Sequence, residues 1–161
     1  MMARYFPMVV FLLAVVVTAA IGGSFAVGQW YFDLVKPWWN PPPWVFGPVW
    51  SALYLLMGLA MWQVWISGHP KRTGALSWWL MQLVLNAGWS WLFFGLHRTG
   101  WALLELTILL GIVILCTRAF ATVTRPAALL MVPYILWLVF AWVLNLALWI
   151  LNGGGLASIM G

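Results

Sequence analysis

The sequence predicts an all-α membrane protein, a single domain over 1–161 built as a five-helix transmembrane bundle with a Trp/Pro-rich loop between the first two helices. The first observation is composition, because 66% of the residues are hydrophobic and only 6% are charged, whereas a soluble domain carries roughly a quarter charged residues. The second is pattern. Membrane-spanning backbone must satisfy its hydrogen bonds internally, as helices or closed barrels do, and this chain has continuous apolar runs rather than the alternation of barrel strands.

Five segments are long enough to cross a bilayer, since a spanning helix needs about 20 mostly apolar residues. They are expected at about 6–27, 45–66, 75–96, 101–123 and 127–151. The connections between them are rich in Gly, Pro and basic residues, which favour loops. The first segment could instead be a cleaved signal peptide. Its apolar run is longer than the ~7–15 residues of a signal core, so a retained helix is favoured.

The net charge of +5 comes from seven Lys and Arg residues against Asp33 and Glu105. The basic residues are scattered singly between apolar runs, as membrane-flanking anchors are, so no nucleic-acid binding is expected. More of them lie on the N-terminal side of the predicted bundle than on the side of the 28–44 loop. The N-terminus is therefore expected in the cytoplasm or its equivalent, and this orientation assumes the usual inner-membrane insertion route.

Helical periodicity predicts which side chains converge inside the bundle. The inward faces of the second, third and fifth segments carry Trp50, Tyr54, Met57 and Met61, then Gln82, Asn86, Trp89, Ser90 and Phe93, then Tyr134, Trp137, Ala141, Asn145 and Leu148. Amides are costly in hydrocarbon unless they are paired, which also places them inward. Aromatic faces with a few polar groups are the expected lining of a pocket for a flat apolar ligand. Ordinary core packing is the alternative.

Motifs of familiar catalytic sites are absent from the sequence, including GxSxG, HExxH, a phosphate-binding glycine loop and paired carboxylates. Cys116 is the only cysteine, which excludes an internal disulfide and a cysteine-cluster metal site. His69 and His97 fall in loops on opposite sides of the membrane, so neither is expected to bind haem iron. Glu105 lies about one turn inside the fourth segment, and it is either a functional group or the partner of Arg98 or Lys36 in a structural ion pair.

Four blocks of sequence carry a resemblance to a known family. The segment WYFDLVKPWWNPPPWVFGPVWSALYLLMGLA (30–60) resembles the signature of the translocator protein family, TspO/MBR, once called the peripheral-type benzodiazepine receptor. The blocks QLVLNAGWSWLFFG (82–95), GWALLEL (100–106) and VPYILWLVFAWVLN (132–145) resemble its third, fourth and fifth helices. The resemblance implies a five-helix bundle, often dimeric, that binds tetrapyrroles such as protoporphyrin IX and haem, sterols, and synthetic benzodiazepine-type or isoquinoline-carboxamide drugs.

The same resemblance implies a ligand site. Trp50 and Trp137 match the ligand-sandwiching tryptophans of the family, and Ala141 matches a position where alanine or threonine alters ligand binding. With the inward-facing positions, the expected ligand-binding residues are Trp50, Tyr54, Gln82, Asn86, Trp89, Ser90, Tyr134, Trp137 and Ala141. The 28–44 loop is expected to cover this pocket as a preshaped lid, with Trp30, Trp38, Trp39, Pro41 and Pro42. Prolines keep the lid out of helix, and tryptophans provide flat apolar cover.

The sequence favours a tetrapyrrole over cholesterol as the ligand. The run LNLALWILN (144–152) has Leu146 in place of the tyrosine of the animal family's sterol motif, and no basic residue follows it. The expected function is the binding of porphyrin or haem in transport, sensing or regulation. The protein is also expected to form a homodimer and to need no cofactor. One alternative is an enzyme that degrades porphyrin in light and oxygen through Trp50 and Trp137, with no other catalytic residue assigned. Another is a sterol-binding, lipid-binding or purely structural membrane protein.

Overall fold

The computed structural model describes residues 2–25 and 27–154. This part of the chain is mostly helical and contains no strand, which confirms the all-α prediction. Its α-helices are α1 (Met2–Ser24), α2 (Gln29–Asp33), α3 (Phe46–Ile66), α4 (Arg72–Ser90), α5 (Thr99–Val123) and α6 (Arg125–Leu151). A 3-10 turn at Pro43–Val45 leads into α3, and a π-helical turn at Trp91–Gly95 ends α4.

Each of the five segments expected from the sequence corresponds to one long helix, namely α1, α3, α4, α5 and α6. The start of α3 differs from the expected 45–66 by one residue, whereas α1 begins and ends earlier than the expected 6–27. Neither α2 nor the 3-10 turn was expected, because elements of five and three residues are too short to show a hydrophobic period.

The described chain contains four helices that are long and apolar enough to cross a membrane, over Tyr5–Ser24, Pro43–Ile66, Thr99–Val123 and Arg125–Leu151. The remaining long helix, α4, is less apolar because it includes Arg72, Gln82 and Asn86. Both of its amide side chains are buried inside the bundle, while Val84 on its outer face is 72% exposed. The helix therefore still turns an apolar surface outward, and the protein is an integral, multi-pass membrane protein.

The five long helices form a closed ring. Neighbours around it are α1 and α3, α3 and α6, α6 and α5, α5 and α4, and finally α4 and α1. One end of the ring is filled by a core that includes Met57, Trp79, Phe120 and Met131, all fully buried. The indole nitrogen of Trp79 donates to the Met57 carbonyl oxygen at 3.1 Å, which ties α4 to α3 at this level. The other end is hollow, and the segment between α1 and α3 lies over it.

Candidate ligand-binding pocket

The hollow end of the ring contains a cavity of about 360 Å³. Every long helix contributes to its wall. The volume lies near the lower end of the range found for small-molecule sites. Seven of the nine side chains expected to bind ligand line this cavity, namely Trp50, Tyr54, Asn86, Trp89, Ser90, Trp137 and Ala141. Most residues selected by helical periodicity and by the family resemblance therefore line the same cavity.

Aromatic rings form most of the cavity wall. Trp50 packs against Tyr54 on the same helix, with ring centroids 5.4 Å apart. On α6, Trp137 packs against Phe140 at 5.3 Å. On α4, Trp89 stacks on Phe93 at 5.0 Å with an angle of 22° between the planes. Ring-to-ring packing of this kind holds each flat face in place before any ligand arrives.

A hydrogen-bonded chain of three side chains supports the cavity on one side. The Tyr54 hydroxyl donates to Asn86 Oδ1 at 2.6 Å, and Asn86 Nδ2 donates to the Tyr134 hydroxyl oxygen at 2.9 Å. Tyr134 was expected to touch ligand, but it is fully buried behind the cavity and does not line it. It orients Asn86, which does line the cavity.

A second pair of hydrogen bonds positions Trp89. Its indole nitrogen donates to Asn145 Oδ1 at 3.1 Å, and Asn145 Nδ2 donates to the Thr99 carbonyl oxygen at 2.9 Å. Asn145 also lines the cavity. Because both ends of this amide are bonded to protein groups, Asn145 fixes the orientation of the Trp89 ring at the cavity wall.

Two polar side chains are buried without partners in the part of the chain that the structure describes. Gln82 was expected in the pocket, but it lies outside the cavity lining, and neither its amide nitrogen nor its oxygen is hydrogen-bonded. Both carboxylate oxygens of Glu105 are likewise buried and unbonded. The ammonium of Lys36 binds the carbonyl oxygens of Phe32 and Leu34 instead. The hydrogen-bonded ion pair considered for Glu105 is therefore not formed.

The loop covers the cavity with residues other than those expected. Tyr31 and Pro43 line the cavity, whereas the expected lid residues Trp30, Trp38, Trp39, Pro41 and Pro42 do not. Trp30 stacks on His97 with centroids 4.2 Å apart, Trp39 meets the edge of Phe140 at 6.0 Å, and Trp38 is 96% exposed. These tryptophans thus hold the loop down or face outward, and Tyr31 provides the inner cover.

Tyr31 is only 5% exposed, and its ring packs on Phe93 and Phe94. Burial raises the pKa of its hydroxyl, opposed by a hydrogen bond in which that hydroxyl donates to Asn40 Oδ1 at 3.4 Å. The Lys36 ammonium lies 4.8 Å from the ring centroid on the loop side. The tyrosine is therefore held as a neutral, packed cover rather than as a mobile side chain.

The side chain of Asn152, at the end of α6, is hydrogen-bonded to the backbone of the loop. The backbone nitrogen of Val35 donates to Asn152 Oδ1, and Asn152 Nδ2 donates back to the Val35 carbonyl oxygen, each at 2.9 Å. This amide pairs with the loop backbone as a neighbouring strand would. We call this pair of bonds the Asn152 latch.

The family model for the TspO/MBR family matches residues 9–150, which include the cavity, the loop and most of every long helix. The chain belongs to the TspO/MBR family. It is 37% identical to the translocator protein of Bos taurus over 149 residues, covering 89% of this chain and 88% of that protein.

Microbial relatives of the TspO/MBR protein match to a similar extent. Identity to the tryptophan-rich protein TspO of Chlorobaculum tepidum is 42% over 128 residues, covering 77% of this chain and 80% of that one. Identity to the protein CrtK of Rhodobacter capsulatus is 36% over 149 residues, covering 90% and 92%. The resemblance stated from the sequence motifs is thereby confirmed.

Several cavity residues of this TspO/MBR protein were not expected from its sequence. They include Tyr31 on α2, Phe94 in the π-helical turn, and the small residues Ala19, Gly22 and Gly23 on α1. The four-residue spacing of small residues on α1 was a usable signal, but it is typical of tight helix packing as well as of a pocket wall. Within the described residues no group of His, Cys, Asp and Glu could hold a metal ion.

Proposed function

We propose that this TspO/MBR protein binds protoporphyrin IX, haem or another flat apolar molecule in its cavity, and acts in porphyrin transport, sensing or regulation. The observation that carries the proposal is that Trp50, Trp89 and Trp137, from three different helices, line one cavity inside the membrane. No charged side chain occurs among the described lining residues. Such a site favours a large aromatic surface over a polar solute.

Polar groups of the wall suit the edges of a macrocycle. Trp50, Ser90 and Trp137 line the cavity, and no hydrogen bond donated by their indole nitrogens or hydroxyl is found within the described chain. These neutral donors can meet carbonyl oxygens or ring nitrogens. Acidic substituents of a porphyrin find no cation here, so we expect them to point out of the cavity.

The names of the relatives support the role in transport or sensing. The matching proteins of Bos taurus and Homo sapiens are translocator proteins, and that of Cereibacter sphaeroides is a tryptophan-rich sensory protein.

We further propose that the protein forms a homodimer in a bacterial cell membrane. Chemical cross-linking in mild detergent tests the dimer, and a monomer at every protein concentration would count against it.

A titration of tryptophan fluorescence with protoporphyrin IX, in the dark and on detergent-purified protein, tests the binding. We expect saturation at one site per chain, with affinity lowered by Trp137→Phe or by Ala141→Phe, which fills the cavity. Trp44→Phe is the matched control, since Trp44 is 75% exposed and does not line the cavity. Linear quenching that neither cavity substitution alters would mean partition into micelles and would contradict the proposal.

Porphyrin degradation is a second candidate function, because the cavity brings two oxidisable indoles, Trp50 and Trp137, against any bound ligand. Porphyrin would be the group oxidised and molecular oxygen the oxidant, with light supplying the energy. We expect a light-dependent product whose rate falls in Trp50→Phe and Trp137→Phe. An equal rate of product formation without protein would exclude this activity.

A further inference from the structure

The wall of the cavity is thin where α1 faces α3. Three small residues line the cavity there, namely Gly23 on α1 and Gly47 and Ser51 on α3. All three are also exposed on the outer surface of the bundle. A Cβ atom added at Gly23 or Gly47 would meet nothing within 4 Å. We call this part of the wall the α1–α3 seam.

The two helices separate toward the seam. At the other end of the pair, a Cβ atom on Gly58 would lie 2.8 Å from Leu12 Cδ2, so the backbones are close together at that level. Gly23 on α1 and Gly47 on α3 each lie roughly 16 Å along their helices from this contact. Close packing at Gly58 thus gives way to small side chains and open space beside the cavity.

The seam lies at membrane depth. Gly23 falls within the apolar span Tyr5–Ser24, and Gly47 and Ser51 fall within the span Pro43–Ile66. About two turns further along each helix, the outward side chains Val16 and Leu55 are apolar and 59% and 50% exposed. We infer that the outside of the seam faces the bilayer, near the ends of the two spans.

The end of the cavity that faces water is covered by many contacts. Tyr31 packs on Phe93 and Phe94 above the cavity, and the Asn152 latch holds the backbone of Val35. A ligand that entered from water would have to break these contacts. A ligand that entered between α1 and α3 at the seam would pass the small residues Gly23, Gly47 and Ser51, and no described hydrogen bond joins the two helices there.

We propose that ligands reach the cavity sideways, from the bilayer through the α1–α3 seam, so that the protein takes molecules already dissolved in the membrane. This proposal rests on the proposed function, since it assumes that the cavity binds a flat apolar ligand. Glycine on both sides of the seam lets such a molecule pass edge-on. The absence of charged side chains from the described lining agrees with a ligand that arrives from lipid.

The rates of protoporphyrin binding and release test the seam. The measurement is stopped-flow tryptophan quenching, in the dark, on the full chain in lipid nanodiscs. We expect Gly23→Phe and Gly47→Phe to lower both the association and dissociation rates by about tenfold or more, because a narrowed gate slows passage in both directions. A phenylalanine that only filled the cavity would instead raise the dissociation rate. Gly111→Phe is the matched control, since Gly111 is an exposed glycine on α5 with open space around it and no place in the lining.

Asn152→Ala distinguishes the seam from the loop route. If ligand enters through the seam, releasing the latch leaves both rates unchanged. Faster binding and release in Asn152→Ala, with unaltered rates in both glycine variants, would overturn the proposal in favour of access past the loop. A change in oligomeric state in Gly23→Phe without a change in rates would assign the seam to a second copy of the chain and would also overturn it.

Failure of the proposed function gives a different result. If the unsubstituted protein shows no saturable protoporphyrin binding, the ligand assignment itself is wrong. If it binds saturably and both glycine variants bind and release at its rates, only the seam is wrong.

Discussion

The indole nitrogen of Trp89 donates a hydrogen bond to the side-chain oxygen of Asn145, 3.1 Å away, and so joins α4 to α6 at the wall of the cavity. Asn145 in turn donates to the Thr99 carbonyl at the start of α5. One amide therefore links three helices and fixes the angle of an aromatic ring that lines the cavity. The orientation of the wall depends on a residue whose own polar atoms are already bonded within the protein.

We expect Asn145→Ala to weaken protoporphyrin binding several-fold and to lower the free energy of unfolding by roughly 0.6–2 kcal/mol, as interhelical hydrogen bonds in membranes do. The physical reason is that the Trp89 ring loses the bond that orients it. Fluorescence titration and thermal unfolding in detergent check the two effects. Thr107→Val is the control, since it removes a 2.9 Å bond from the Trp142 indole away from the cavity. Equal losses of affinity in both variants would contradict the role given to Asn145.

Substitution of Tyr134 is expected to lower the stability of the protein more than its affinity for ligand. We expect Tyr134→Phe to lower the free energy of unfolding by roughly 0.6–2 kcal/mol, since it removes the partner of Asn86 Nδ2 and leaves a buried amide proton unpaired. Affinity should change less than in Trp137→Phe, because the Tyr134 ring does not line the cavity. Tyr5→Phe, at a tyrosine that is 49% exposed, is the control in thermal unfolding. A larger loss of affinity in Tyr134→Phe than in Trp137→Phe would show direct ligand contact.

Much of the site could be predicted from sequence because helix geometry fixes direction. Trp50, Asn86 and Trp137 lie at inward positions of regular helices, and all three line the cavity. Periodicity does not fix depth along the bundle. Gln82 lies one turn from Asn86 and Tyr134 lies one turn from Trp137, on the side where the core is filled rather than hollow. Both therefore face inward without reaching the cavity.

The lid could not be predicted residue by residue. Its residues follow no long repeating period, so sequence alone gives no rule for which aromatic side chain turns inward. The five-residue helix α2 decides it by placing Tyr31 under the loop and Trp30 against His97. The Asn152 latch could not be predicted from the sequence either, since Val35 and Asn152 are 117 positions apart and their hydrogen bonds involve the loop backbone.

The Asn152 latch predicts a local change in the loop. We expect Asn152→Ala to speed amide hydrogen exchange at Val35, whose N–H loses its acceptor, and to leave the middle of α5 unchanged. Gln29→Ala is the control, because the Gln29 side chain bonds to Asp33 within α2 and not to α6. Mass-spectrometric exchange over the peptide that contains Val35 checks this. Equal exchange in the unsubstituted protein and in Asn152→Ala would mean that ring packing alone holds the loop.

Alkaline pH gives a further test of the loop. Because burial raises the pKa of Tyr31 above its usual value of 10.0, the folded protein holds this proton more tightly than the unfolded chain does. The stability that the neutral hydroxyl contributes is therefore complete below pH 10 and is lost as the pH rises above it. We expect the loop to become more sensitive to an alkali-tolerant protease above pH 10, and less steeply so in Tyr31→Phe. An identical pH dependence in the two proteins would exclude Tyr31 as the cause.

The distribution of basic residues predicts an N-terminus in the cytoplasm and the loop outside it. Single cysteines at Trp38 and Ser67 test this, since both positions are exposed and lie at opposite ends of α3. Cys116 is fully buried and adds little background labelling. On intact cells an impermeant maleimide should label Trp38→Cys, while Ser67→Cys should react only after lysis. The reverse pattern would place the loop and the water-facing end of the cavity in the cytoplasm and would contradict the predicted orientation.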